Sequence, residues 1–476
     1  MAARAIQMRS WTQRIKLSQV GVNCWVLWLA LALGFGHAAT PSPLKLREVS
    51  IAKVETGALP ASVVVSPDFQ RIAYVAVQGG KQVVFVDGRL AATLDGVGFG
   101  TPAFSADGKR LLFVGIRGAS SFVSVNGVEG PSFEGIHRAQ FSPDGKKVLV
   151  VAQRGSHFSV VVDGVEGRAF EQIGEGDPQF SAGGNRVAYA AKRDGKWILV
   201  TDGEPGPAFE AVGRGAKYFS DDGKTLAYLG VRGGKALVIV NGVEGKEYDA
   251  VTDLVMGDGG KVAYRAVLGT NQRIVLNGKE GPTREVIVPG SLAFSKDGAR
   301  FGYGEKSNGV LRMVLDEARG EGMIAIGTPV FSPTGKRVAY KAADDLDALV
   351  VLDGKPGPSF QRLSLDPLVF SPDGSRLAYG AQRNVSWVVV TEDATGFAYD
   401  DLGLGSLTFS PDSKHLAYWA KRSINSILVV DGSESPEYRA HFGKPPLRWT
   451  SASTVVGLAL KGSDFVRIEA EAPLRK

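Results

Sequence analysis

Short runs of apolar and polar residues alternating with a period of two recur along this 476-residue chain, separated by clusters of turn-forming residues. The run from Arg186 to Ala191 (RVAYAA) and the run from Ala236 to Val240 (ALVIV) are typical. Period-two alternation with β-branched and aromatic residues predicts strands rather than helices. Between such runs stand a Ser-Pro-Asp-Gly-Lys type turn, a glycine-rich turn such as Arg232 to Lys235, and a tight hairpin such as Asn241-Gly242. Asn-Gly and Asp-Gly favour hairpins because both residues tolerate positive φ. A fourth short segment follows each hairpin, for example residues 207–210. The pattern predicts units of four antiparallel strands.

The units repeat in register. Phe141 to Val150 reads FSPDGKKVLV, Phe331 to Tyr340 reads FSPTGKRVAY, and Phe370 to Tyr379 reads FSPDGSRLAY. Taking the serine as an anchor gives Ser66, Ser105, Ser142, Ser181, Ser220, Ser295, Ser332, Ser371 and Ser410, with Gly257 and Thr450 in two degenerate copies. Successive anchors lie 37 to 40 residues apart, which makes eleven units. The second hairpin residue follows the anchor by 22 positions in nine units and by 21 in the unit at Gly257. Asp316-Glu317 and Glu392-Asp393 stand in for the Asp-Gly or Asn-Gly pair in two of them. The stretch from hairpin to next anchor is mostly 15 or 17 residues. A two-residue step keeps each side chain on its own face, which is what packed strands require. Four short strands in such a unit make a propeller blade.

The ends predict how the array closes. After Thr450 only two strand-like stretches remain, 454–460 and 465–470, so the last unit lacks its fourth strand. Residues 49–55 sit before Ser66 where a fourth strand sits in other units. That segment is expected to complete the last blade and remove two open edges.

The pattern Phe-Ser-Pro-Asp-Gly-Lys-Arg-apolar-Ala-Tyr resembles the WD40-like repeat of the TolB propeller, and related repeats occur in tricorn-type and prolyl-oligopeptidase-family proteases. The resemblance covers about residues 48–471. It implies an all-β propeller fold. The sequence shows no counterpart of the α/β domain of TolB and no hydrolase domain, so the partners of those proteins are not implied. Eleven blades exceed the usual four to eight of one ring. Two rings of five and six blades are therefore expected, residues 48–252 and 253–476 with a junction at Gly257, and one large ring is the alternative.

Residues 1–38 change the picture of charge and location. Arg4, Arg9, Arg14 and Lys16 precede an apolar run from Val20 to Gly36, and small residues follow to Ala38. This reads as a signal peptide followed by a short linker, 39–47, and an uncleaved anchor is the alternative. The body is expected in the periplasm or secreted, with no membrane span once the signal is removed. Without the segment, basic residues fall from 55 to 51 against 49 acidic ones, so the net charge drops from +6 to +2. The basic balance is then no argument for nucleic acid. Cys24, the one cysteine, lies in the apolar run, which leaves the body without disulfides or thiolate metal sites.

Candidate chemistry is sparse. There is no Gly-x-Ser-x-Gly elbow, no His-Glu-x-x-His and no phosphate-binding glycine loop. His137, His157, His415 and His441 fall at unrelated repeat positions, so no metal or other cofactor is expected. Asp68, Asp107, Asp144, Asp222, Asp297, Asp373 and Asp412 are expected to accept backbone N–H bonds within their turns. Tyr74, Tyr189, Tyr228, Tyr340, Tyr379 and Tyr418, each eight residues after an anchor, are expected to pack between blades. Arg117, Arg154, Arg193, Arg232, Arg383 and Arg422 lie twelve residues after an anchor, at the hairpin joining second and third strands. Six arginines on one face form a candidate positive rim for an acidic partner. The alternative is a solvated hairpin residue copied with the repeat. Together these readings predict a non-catalytic protein-binding or scaffold module of the cell envelope. A lyase or hydrolase with a site in the channel, and a carbohydrate or small-ligand receptor, are the other classes.

Overall fold

A computed structural model describes residues 42–174, 178–213, 217–344 and 347–473. The expected signal segment, its cleavage point near Ala38 and Cys24 lie outside the described residues. The described strands form eleven antiparallel sheets of four or five strands, one per unit, and in several of them the first strand is interrupted into two pieces. Blade 3 is representative: Gly135–Phe141, Val148–Arg154, His157–Val162 and Val165–Phe170 pair in that order. First strands of neighbouring blades touch, Gln140 donating to the Pro178 carbonyl at 3.2 Å and the Tyr218 N–H to Gln179 at 3.1 Å. Fourth strands such as Val128–Phe133 are exposed except at Phe133. The first strand is thus the inner wall and the fourth the outer rim.

The turn chemistry follows the repeat. In the first turn Ser142 donates to Asp144 at 2.5 Å, the same Asp144 oxygen accepts the Lys146 N–H, and Ser142 accepts the Lys147 N–H. The bonded serine and backbone groups hold Asp107, Asp144, Asp222 and Asp297 below the usual carboxylate range. At the hairpin, Asp163 has φ 49° and Gly164 φ 80°, the pair of left-handed residues that a two-residue turn between twisted strands requires. The six expected tyrosines are all buried. Tyr189 of blade 4, for example, packs with Leu149, Val151, Val160 and Phe170 of blade 3.

Blades are also clasped by arginines five residues after the anchor. Arg110 stacks over Phe141 of the next blade at 5.0 Å and donates to its Gly145 and Lys146 carbonyls. Arg71, Arg300 and Arg376 repeat the arrangement with Phe104, Phe331 and Phe409. Stacking and forked donation both suit guanidinium rather than ammonium.

Closure is by strand exchange. Leu46–Lys53 pairs antiparallel with Asp464–Glu471 and supplies the fourth strand of blade 11, three residues ahead of the expected start. Tyr438 seals the join by donating to Glu48 at 2.7 Å. The blades make one ring, not five plus six. Val456, Leu458 and Phe465 of blade 11 share a core with Ile72, Tyr74 and Phe85 of blade 1. At the expected junction, Val251, Leu254 and Tyr264 of blade 6 share a core with Ala227, Ala236 and Val238 of blade 5. A β-carbon on Gly257 would meet Phe294 and Gly298 of blade 7 at 3.0 and 3.1 Å, so this glycine marks tight packing rather than a break.

Candidate functional site

Each first strand runs toward its serine turn and the second returns. The hairpins between second and third strands therefore share a face with the blade-to-blade connections. The six candidate arginines are on this hairpin face, and the side chains of four turn to the outer strand of their own blade. Arg117 forks onto Glu129 at 2.8 and 2.7 Å, which holds its charge more firmly than usual. Arg154 meets Glu166 at 3.4 Å, Arg232 meets Glu244 at 2.6 Å, and Arg422 meets Glu434 at 3.0 Å. Each of these glutamates lies on the fourth strand of the same blade. Arg193 is 3.8 Å from Asp194, and Arg383 stacks over Phe360 at 5.4 Å. Carboxylates of their own blades thus meet five of the six, on the fourth strand for Arg117, Arg154, Arg232 and Arg422 and at the hairpin for Arg193.

A second charged series lies beside them. The first residue of the connection into blades 2 to 6 and 8 to 11 donates its N–H to the end of the second strand, and Glu285 holds the same place before blade 7. On entering blades 2 to 7 that connection carries Asp95, Glu134, Glu171, Glu210, Asp249 and Glu285. Most of these cap a hairpin: Gly118 donates to Asp95 at 2.7 Å, Gly233 to Glu210 at 3.0 Å, Gly269 to Asp249 at 2.6 Å and Asn308 to Glu285 at 2.8 Å. Bonds to Lys81 and Gly118 lower the Asp95 carboxyl, and bonds to Gly269 and Lys235 lower Asp249. Later the series changes. Ile324, Gln361 and Arg439 occupy the position on entry to blades 8, 9 and 11, and only Asp400 keeps the acid and the cap, with Ser423 at 2.5 Å. One side of the hairpin face is an acidic belt and the other is not.

The connections also break the first strand of several blades. Gly96–Val97 and Ala103–Phe104 both pair with Leu111–Arg117, leaving residues 98–102 as a tip on the strand's free, inner edge. The tip is bolted down. Thr101 Oγ1 donates to the Gly98 carbonyl at 2.7 Å and accepts the Val114 N–H at 3.1 Å. Ser62 and Ser406 do the same with Leu59 and Val75, and with Gly403 and Trp419. Neighbouring tips are joined, Gly405 donating to Asp366 at 2.9 Å and Gly290 to Asp253 at 3.0 Å. On these fixed tips stand Phe99, Leu365 and Leu404, exposed by 104, 94 and 68 %.

Blade 11 has no broken strand. Its Ala440–Trp449 strand bulges between Phe442 and Leu447, and the bulge faces the blade 10 tip across a cleft of about 450 Å³. Leu404, Lys421, His441, Phe442, Lys444 and Pro446 line it. Lys421 is 3.4 Å from Asp401, whereas Lys444 is exposed and makes no ion pair among the described residues. His441 stacks on Trp419 at 5.0 Å and shares a hydrogen bond with Ser426 at 2.9 Å. Burial, then the Lys421 charge, pushes its imidazole down to about 4. Of the other histidines, His137 bonds Gln153, His157 is near Ser156, and His415 bonds Asp431. The four are not brought together.

No protein-family model matches the chain, and no curated protein does. Solved structures that it is similar to include a eukaryotic initiation factor, at 10 % identity and TM-score 0.41 over 87 % of this chain and 98 % of that one. The Dos1 propeller follows at 11 % and 0.30 over 92 and 96 %. TolB from Acinetobacter baumannii stands at 12 % and 0.25 over 64 and 79 %. On its own sheet order and closure, the chain is an eleven-bladed β-propeller.

Proposed function

We propose that this chain is an exported, non-catalytic propeller that binds protein partners in the cell envelope through its hairpin face. The observation that carries this reading is the set of rigid connection tips with large apolar side chains held in solvent, Phe99, Leu365 and Leu404. Exposed apolar side chains on a fixed frame mark interaction surfaces, because docking on them costs little ordering entropy. The signal-like residues 1–38 support the envelope location.

The test is affinity capture from envelope extract with the chain lacking residues 1–38, together with fractionation of the native protein. Partners recovered from envelope extract, and the protein itself in the periplasmic or secreted fraction, are expected. Absence of any reproducible partner, or a cytoplasmic protein with an intact amino terminus, would overturn the proposal.

A further inference from the structure

We infer that the arc of the hairpin face over blades 9 to 11 is the docking surface, and that its occupant is an extended peptide segment pairing large apolar residues with carboxylates. The inference rests on the protein-binding reading above and adds place and partner chemistry.

Three observations converge on this arc. Leu365 and Leu404 stand on adjacent tips, tied through Asp366 and Gly405, and the cleft beside Leu404 is walled by Phe442 and Pro446. Neighbouring fixed knobs and a cleft suit alternate side chains of an extended chain better than a single small molecule. Charge then selects the partner. The acidic series of blades 2 to 7 gives way to Ile324, Gln361 and Arg439 on entry to blades 8, 9 and 11, and Asp400 keeps it on entry to blade 10. Arg383, Arg439 and Lys444 are exposed and pair with no carboxylate among the described residues, while Arg422 of this arc is met by a glutamate as Arg117, Arg154 and Arg232 are elsewhere on the face. An acidic, apolar segment meets Arg383, Arg439 and Lys444 over this arc, beside the one carboxylate the series keeps there, Asp400, whereas the same position carries a carboxylate on entry to each of blades 2 to 7. The belt thus repels it from the wrong site as the arc attracts it.

The experiment pans a phage-displayed library of random twelve-residue peptides on the protein lacking residues 1–38. Enriched peptides should pair Leu, Ile, Phe or Trp with Asp or Glu. Their binding should weaken roughly tenfold or more in Leu404→Asp and in the double variant Arg439→Glu/Lys444→Glu. It should be unchanged in Arg117→Gln/Arg154→Gln/Arg232→Gln, and should fall with added salt. These positions are exposed, and an unaltered melting temperature checks that folding is intact. No enrichment, enrichment of basic peptides, or enriched peptides indifferent to the arc variants would each overturn the inference. Failure of this inference alone has its own signature: envelope partners captured equally by the wild type and the arc variants. Failure of the wild type to capture any partner would instead sink the binding reading itself.

Discussion

Arg337 of blade 8 grips Glu392 of blade 9 through two nitrogens, at 2.9 and 2.8 Å, while its Nε holds Asp353 of its own blade at 2.8 Å. Glu392 stands where other blades carry the Asp or Asn of the hairpin pair, and its longer side chain is what reaches across. The sequence irregularity at Glu392-Asp393 is thus a blade-to-blade clasp. Replacing Arg337 by Lys keeps the charge but loses the fork, and should cost about 1 kcal/mol at this partly exposed site. Glu392→Gln should cost a similar amount, and the double variant less than the sum. Additive losses in chemical denaturation would show that the two do not act together.

Removing residues 49–55 should destabilise the ring more than any single surface change. It strips the outer strand from blade 11 and exposes the edge of Asp464–Glu471. A melting temperature equal to that of the intact chain would contradict the role assigned to the exchanged strand.

Gly164 sits at φ 80° with open space around its α-carbon. Valine there meets no neighbour, so the loss measured by denaturation isolates backbone strain, expected at about 1–3 kcal/mol. A neutral result would mean the hairpin readily takes another turn.

His441 supplies a pH dependence with a definite sign. Its imidazole is near 4 in the ring against 6.5 when free, so between these values the unfolded chain binds the extra proton. Stability should therefore fall as pH drops from about 6.5 toward 4. Asn in its place should flatten that part of the curve while leaving the Ser426 contact a partner. An unchanged slope would place the acid sensitivity elsewhere.

Glu280 acts lower on the scale. Bonds to Lys246, Tyr248 and Arg273 bring its carboxyl to about 2 from an ordinary 4.5. A depressed carboxylate stabilises above its unfolded value and loses that contribution as pH falls through its folded one. Glu280→Gln should thus be destabilising at neutral pH and equal to wild type near pH 2. A penalty that persists at pH 2 would assign it to shape rather than charge.

Blades, turns and closure were legible because they are written in local chemistry. Ser142 and Asp144 make a turn, Asp163 and Gly164 a hairpin, and residues 49–55 fall at the register of a missing strand. The ring size was not, because it is set by small angles between blades, and the residues that fix them, such as Phe141 under Arg110, look the same in a five-blade ring. The arginines after each anchor stood out by spacing, yet spacing does not show that Glu129, Glu166 and Glu244 lie across the sheet to neutralise them. The connection series from Asp95 to Arg439 was in plain view. Its members stand seven residues after the second hairpin residue in every unit, Gly203 to Glu210 and Gly242 to Asp249 alike, and counting from the serine anchor that follows hides them because that stretch varies in length. The tips carrying Phe99 and Leu404 depend on an interrupted strand that apolar periodicity does not reveal.

The pairing of Leu46–Lys53 with Asp464–Glu471 also fixes an order of events during synthesis. The earliest blade strand to leave the ribosome is the last to find its place, since its partner is made only after the strands of ten further blades. Every shorter product therefore carries an unmatched strand at one end and an unfinished sheet at the other. A chain stopped by a premature stop codon before Asp464 is not a smaller ring but an adhesive one, exposed to proteolysis and to pairing with its neighbours.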